Sequence, residues 1–338
     1  MILVTGATGF VGSALVRTLV TDGEAVRILR RPTSRLDLLG GAAEPVEHAL
    51  GDVTDPATLR HAMGGVDAVY HVAAAVAFGP AARRRLREVN VRGTAAVVDA
   101  ALDAGVRRVV HTSSIAALGR AGRGVIDEGA AWTASRSNSA YAVSKRDAEL
   151  EVLRGVAEGL DATTVNPALV FGPGARSGEG TGRLVERVAA GRVPLAPTGG
   201  TAVVDVADVV DGLRAAAERG GTGERYVLAS ENLSWAEILA TLARALGTAP
   251  PRGILPPALL QLAGAAGSLG GVLTRAEPTL TLATARNAAE THRYANDRAV
   301  RELGVSFRPF AETAARIAAE RRGPTEGGAV SPGGASRA

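Results

Sequence analysis

Apolar and polar positions along the first half of this chain follow two alternating rhythms. Short, nearly continuous apolar runs occur at ILVT (2–5), AVRILR (25–30), PVEHALGD (45–52), VDAVYHVAA (66–74), VRRVVHTSS (106–114) and ATTVNPALV (162–170). Between them lie stretches with helical spacing, such as FVGSALVRTLVTDG (10–23). DPATLRHAMGG (55–65) has Asp55 to cap a helix and Pro56 at its first position. A long helix is predicted from about Ala81 to Ala104 and another from about Tyr141 to Glu158. Strand–helix alternation of this kind predicts parallel strands with right-handed crossovers, an α/β, doubly wound parallel sheet.

Beyond Phe171 the pattern loosens. Pro and Gly rise in FGPGARSGEGTG (171–182), and short strands such as AVVDV (202–206) and ERYVLA (224–229) mix with helices. The expected division is a nucleotide-binding domain over residues 1–170, to which 203–229 returns. A smaller, mostly helical C-terminal substrate lobe over 171–321 and a disordered tail over 322–338 follow it. The apolar segment 256–273 approaches the length of a membrane span. Pro256, Pro257 and several glycines argue for a buried or substrate-facing helix instead, so no membrane span is expected.

Composition narrows the function classes. The chain of 338 residues carries a formal charge of +4. Its pI of about 10.0 reflects the use of arginine in place of lysine, not a large charge excess. No basic run is interleaved with aromatics, so nucleic acid is not an expected partner. There is no cysteine, which excludes disulfides, thiolate metal sites and cysteine nucleophiles, and no metal is expected. The first strand begins at Ile2, which leaves no room for a leader before it; a cytoplasmic protein is expected.

Three clusters carry candidate chemistry. TGATGFVG (5–12) places Gly6, Gly9 and Gly12 between a strand and a helix. Glycines there permit close backbone approach to a dinucleotide pyrophosphate at a helix N-terminus. At the end of the second strand, where a carboxylate would bind the ribose 2′-hydroxyl of NAD, stand Arg30 and Arg31. Two guanidiniums there favour a 2′-phosphate, hence NADP(H). Asp52 ends the third strand, placed to meet the adenine amine or to cap the following turn. Third, Tyr141 and Lys145 are four apart on one helix face, and Lys145 is the single lysine of the chain. Ser139 and Asn138 are the N-cap candidates of that helix. The ammonium and a nicotinamide cation are expected to lower the tyrosine pKa so that it exchanges a proton with substrate. Ser113 or Ser114 would hydrogen-bond the substrate carbonyl oxygen.

These motifs, taken in order with HVAA (71–74), VNVRGT (89–94), TSSIAALG (112–119), NPALVFGPG (166–174) and VVDVADVVDG (203–212), resemble the extended short-chain dehydrogenase/reductase family. It is also called the NAD-dependent epimerase/dehydratase family, and the likeness covers about residues 1–320. The resemblance implies a Rossmann-type sheet and a catalytic trio of Ser114, Tyr141 and Lys145, with Asn90 steadying the lysine through water. It also implies that Lys145 holds the nicotinamide ribose hydroxyls. The implied cofactor contacts further include Thr8, Phe10, Val11, Val53, Val72, Ala73, Ala74, Thr112, Pro167 and Val170. Nucleotide-sugar members carry an arginine where Thr201 stands and a histidine where Asp205 stands, with Asp208 kept; Arg176 or Arg183 could replace the arginine. VRILRRPTSR, TSSIAALG and AVRELGVSFRP resemble the dihydroflavonol-reductase-like branch. That implies an NADPH-dependent reductase of bulky, largely apolar small molecules, as monomer or homodimer. A sugar epimerase or dehydratase with retained cofactor, or a non-catalytic NADP-binding sensor, are the alternatives.

Overall fold

The computed structural model describes residues 1–79, 82–119, 124–135, 138–274 and 280–322, with side chains of 269–274 left aside. The expected tail, apart from Arg322 at the end of the last helix, lies outside the described residues.

The central sheet has seven strands: Ile2–Thr5, Val26–Arg30, Glu47–Leu50, Ala68–His71, Arg108–Thr112, Ala162–Pro167 and Arg225–Leu228. All of its pairings are parallel. Across the sheet, the first strand lies between the second and the fourth, so the chain reverses its winding direction there. In an open parallel sheet, the crevice at the carboxyl ends beside such a reversal is where ligands bind.

Neighbouring residues on each strand point to opposite faces. Val4, Ile28 and Val110 join one core cluster, with Val16 and Val209 from the helices Phe10–Thr21 and Val206–Arg219. Leu3, Leu29 and Val109 join the other, with Leu59, Val97 and Val152 from the helices Pro56–Met63, Gly93–Asp103 and Ala140–Ala157. This explains why the strands read as continuous apolar runs: both faces are covered.

The run 162–170 divides. Ala162–Pro167 stays in the central sheet, while Leu169–Phe171 leaves it to pair with Gly200–Asp205, which in turn pairs with Glu231–Ser234. The chain then re-enters the central sheet at Arg225–Leu228. The outer elements have their own core of Phe171, Val185, Ile238, Leu242, Phe310 and Ile317, with the rings of Phe171 and Phe310 edge to face at 5.0 Å. Residues 257–274 form a helix, and no helix among the described residues is long and apolar enough to cross a membrane.

The long helix expected at 81–104 is not uniform. It runs as an α-turn at Arg83–Leu86, a π-helical stretch at Arg87–Arg92 and an α-helix at Gly93–Asp103; Ala81 lies outside the described residues. π-stretches insert an extra residue per turn and often mark functional positions. Asn90 sits inside this one.

Candidate active site

The glycine turn is built for close approach. Gly6 has φ +70°, and a Cβ there would meet the backbone nitrogen of Ala73 at 2.5 Å. A Cβ on Gly12 would lie 2.2 Å from the carbonyl oxygen of Gly6. The Gly9 N–H closes the turn on the Gly6 carbonyl at 3.0 Å. The following helix starts at Phe10 with Gly9 as N-cap, no capping side chain and no acid in its first turn. Its first N–H groups are therefore left for an external anion. Thr8, Phe10, Val11, Val72 and Ala73 around this turn are half-buried and Ala74 is exposed. This cradle fits a dinucleotide pyrophosphate.

At the next strand end, Arg30 is half-buried and Arg31 exposed. Arg30 Nε donates to His48 Nδ1 at 2.7 Å. Asp52 accepts from both the backbone N–H and the hydroxyl of Thr54, at 3.0 and 2.8 Å, through one oxygen. It therefore caps its own turn through that oxygen. Val53 is buried against Gly93, where any side chain would collide with it.

Ser139 caps the helix Ala140–Ala157 by accepting from the Ala142 N–H at 3.1 Å, whereas Asn138 turns back to Thr133 and Ser135. The helix carries Tyr141 and Lys145 toward the end of the strand Arg108–Thr112. Lys145 is 1% exposed, and its Nζ donates to the Thr112 carbonyl at 2.7 Å. Burial lowers its pKa to about 8, with the carboxylate of Glu149, one turn on, pulling the other way. Without a nicotinamide beside it, Tyr141 is shifted the other way. Burial pushes its phenol above the ordinary value, and the neighbouring Ser114 side chain only partly offsets this. A phenol shifted upward stays protonated at neutral pH. Phe78 stands edge-on to the Tyr141 ring at 5.7 Å and is 41% exposed.

Ser114 stands beside Tyr141 and opposes the upward shift of its phenol, whereas the buried Ser113 hydroxyl has no hydrogen-bond partner among the described residues. Ser114 Oγ also caps a short 3₁₀ turn by accepting from the Ala116 N–H at 3.1 Å. Asn90, 1% exposed, clamps the Ala75 backbone through both its amide atoms, at 2.7 and 2.9 Å, and donates to Ser144 Oγ at 2.9 Å. It thus ties the loop after the fourth strand to the residue before Lys145. Pro167 is buried at its strand end and Val170 half-buried on the next strand.

Several contributors had no assigned role from the sequence. Glu149 is buried and accepts from Asn166 Nδ2 at 2.6 Å and from Arg225 at 3.2 Å; Asn166 also donates to the Ser114 carbonyl at 3.0 Å. The spacing Tyr141, Lys145, Glu149, four apart each time, was the available signal. Phe78 and His48 had none.

The positions that bear on sugar recognition are occupied elsewhere. Asp205 caps the helix Val206–Arg219 and pairs with Arg316 at 2.8 Å. Asp208 pairs with Arg308. Arg176 pairs with Asp37 at 2.7 Å, and Arg183 Nε donates to the Gly178 carbonyl at 2.7 Å.

Residues 2–229 match the NAD-dependent epimerase/dehydratase family. The chain belongs to that family. It is similar to sterol demethylase protein B of Methylococcus capsulatus, 40% identical over 77% of this chain and 78% of that protein. A putative dihydroflavonol 4-reductase of Synechocystis is 35% identical over 89% of each chain. A 4-hydroxy-2-methyl-3-oxo-4-farnesyl-3,4-dihydroquinoline-1-oxide ketoreductase of Stigmatella aurantiaca is 32% identical over 90% of this chain and 91% of that one. Among solved structures, gox2253 superimposes with a TM-score of 0.80 at 33% identity, covering 96% and 98% of the two chains. A dTDP-glucose 4,6-dehydratase of Streptomyces venezuelae shares the fold, with a TM-score of 0.78 at 24% identity over 96% and 97%. Family and reductase-named relatives together make this chain an NAD(P)-dependent oxidoreductase.

Proposed function

We propose that the chain is an NADPH-dependent carbonyl reductase of bulky, largely apolar ketones, with residues 171–321 as its substrate lobe. The observation that carries this reading is the Tyr141 ring packed edge-on against the exposed Phe78, next to Ser114, with its phenol shifted upward by burial. It is a general acid set against an apolar wall. Bound NADPH supplies the hydride that becomes the new C–H bond at the carbonyl carbon. Tyr141 gives its proton to the carbonyl oxygen, and Ser114 donates a hydrogen bond to the same oxygen. Lys145 holds the ribose hydroxyls, and Asn90 keeps Ser144 and the Ala75 loop in place around it. The glycine cradle holds the pyrophosphate, and Arg30 and Arg31 take the 2′-phosphate.

The names of the farnesyl-quinoline ketoreductase and the sterol demethylase protein support a large apolar substrate. A nucleotide-sugar reading is less well served: Thr201 stands at the position of the diphosphate cation, Arg176 pairs with Asp37, and Arg183 Nε donates to the Gly178 carbonyl. Stoichiometric NADPH loss across a panel of ketones is the expected result. Turnover of a nucleotide-sugar with no net NADPH loss would overturn the proposal.

A further inference from the structure

The histidine beside Arg30 has no part in the scheme so far. The strands Val26–Arg30 and Glu47–Leu50 run parallel with Ile28 opposite His48 and Arg30 opposite Leu50. Because side chains alternate, His48 and Arg30 emerge on one face, one step apart along the diagonal. His48 Nε2 faces the Ala43 carbonyl at 2.9 Å, and a carbonyl can only accept. Nε2 therefore carries the ring proton, and Nδ1 is left as an acceptor, which Arg30 Nε fills at 2.7 Å. The imidazole is locked at both ends between a backbone carbonyl and the arginine.

The consequence falls on the rest of the guanidinium. With Nε fixed, its plane is set. Nη1 makes one long contact of 3.4 Å to the Arg31 carbonyl, and Nη2 has no partner among the described residues. No carboxylate of the described residues lies within ion-pair range of Arg30 or Arg31, although Arg27, Arg35 and Arg176 each pair with one and Arg154 with three. An arginine held by a neutral acceptor keeps its full charge for an incoming anion, whereas a carboxylate in the place of His48 would neutralise it. The adjacent turn is ordered as well: the Arg31 N–H donates to Ser34 Oγ at 3.2 Å, and the Ser34 N–H to the Arg31 carbonyl at 3.0 Å.

We propose that His48 is a specificity-determining positioning residue: it orients Arg30 so that its two terminal nitrogens meet the 2′-phosphate monoester of NADP(H). The role is exerted on one phosphate only. The pyrophosphate cradle at Gly6–Gly12 lies on other residues, so binding of the cofactor without the 2′-phosphate is indifferent to His48. This inference rests on the NADP reading of the site.

The test measures dissociation constants of NADPH and NADH, by cofactor fluorescence titration, for five folded proteins: wild type, His48→Leu, His48→Gln, Arg30→Ala and the Arg30→Ala/His48→Leu double variant. Loss of one charge-assisted hydrogen bond that orients the guanidinium is expected to weaken NADPH about tenfold in His48→Leu, with NADH unchanged. Glutamine places a carbonyl and an amide about as far apart as the two ring nitrogens, so His48→Gln is expected to regain most of the loss. In the Arg30→Ala background, His48→Leu is expected to do nothing more. The proposal is overturned if His48→Leu weakens NADPH and NADH alike, or neither, while Arg30→Ala selectively loses NADPH. In that case the NADP reading stands and His48 only braces the sheet edge. If His48→Leu does not fold, a His48→Gln protein whose preference drops as far as that of Arg30→Ala overturns it equally. A wild-type protein that prefers NADH refutes the NADP reading itself.

Discussion

Replacing Lys145 by arginine keeps the charge and is a mild change on most surfaces; here it should be severe. Lys145 is 1% exposed and is among the largest fully buried side chains of the protein. Its fall from an ordinary 10.5 to about 8 corresponds to roughly 3 kcal/mol of disfavoured charge. Lysine meets that cost with one acceptor, the Thr112 carbonyl. A guanidinium brings five N–H donors and cannot shed its proton. Donors left unpaired in a buried place cost about 1–3 kcal/mol each, and the added bulk about as much again. Lys145→Arg should therefore lose about 3–5 kcal/mol of unfolding free energy. Among molecules that do fold, a misplacement of about 1 Å is enough to cost on the order of 100-fold in turnover.

Lys145→Met separates the two effects. It removes the buried charge and strands the Thr112 carbonyl, while the buried Glu149 keeps Asn166 and Arg225 as partners, so it should be about 2 kcal/mol more stable than wild type near neutral pH while losing turnover. The sign follows from the lowered pKa. The folded protein binds this proton more weakly than the unfolded chain, so wild-type stability rises as pH climbs from about 8 toward 10.5. The advantage of the methionine variant should shrink over the same range. Urea denaturation at several pH values measures the stabilities, and NADPH oxidation with a ketone substrate measures turnover. Arginine-variant turnover within a factor of a few of wild type would refute the placement of this lysine at the chemistry.

Tyr141→Phe should lower turnover by about 10²–10⁴ while leaving the NADPH dissociation constant unchanged, which separates proton transfer from binding. In the wild-type enzyme, kcat/KM for the cofactor should fall as pH rises through about 8, because Lys145 then loses the charge that holds the ribose hydroxyls. Glu149→Gln removes the carboxylate that raises the lysine pKa, so that basic limb should move to lower pH; an unmoved limb would assign it to another group. Arg316→Ala leaves Asp205, with a fully buried side chain, without its cation, and chemical denaturation should show a loss of about 3 kcal/mol.

The sequence by itself determined most of the frame. The alternation of apolar runs with helical spacing was enough for a parallel sheet, because strands covered on both faces cannot read otherwise. Gly6, Gly9 and Gly12 were legible because only hydrogen fits where Gly12 meets the Gly6 carbonyl and Gly6 meets Ala73. The lone lysine four residues after Tyr141 marked the helix face that the structure brings to Thr112. What the chain could not disclose locally were contacts between residues far apart in it. Asn90 reaches Ser144 and Glu149 reaches Arg225 through the packing of helices on the sheet, and Arg30 meets His48 through strand order and register. The direction of the tyrosine's pKa also waited for the tertiary structure. It depends on how deeply the ring is buried and on the serine beside it, and neither is encoded in the spacing of the tyrosine and lysine.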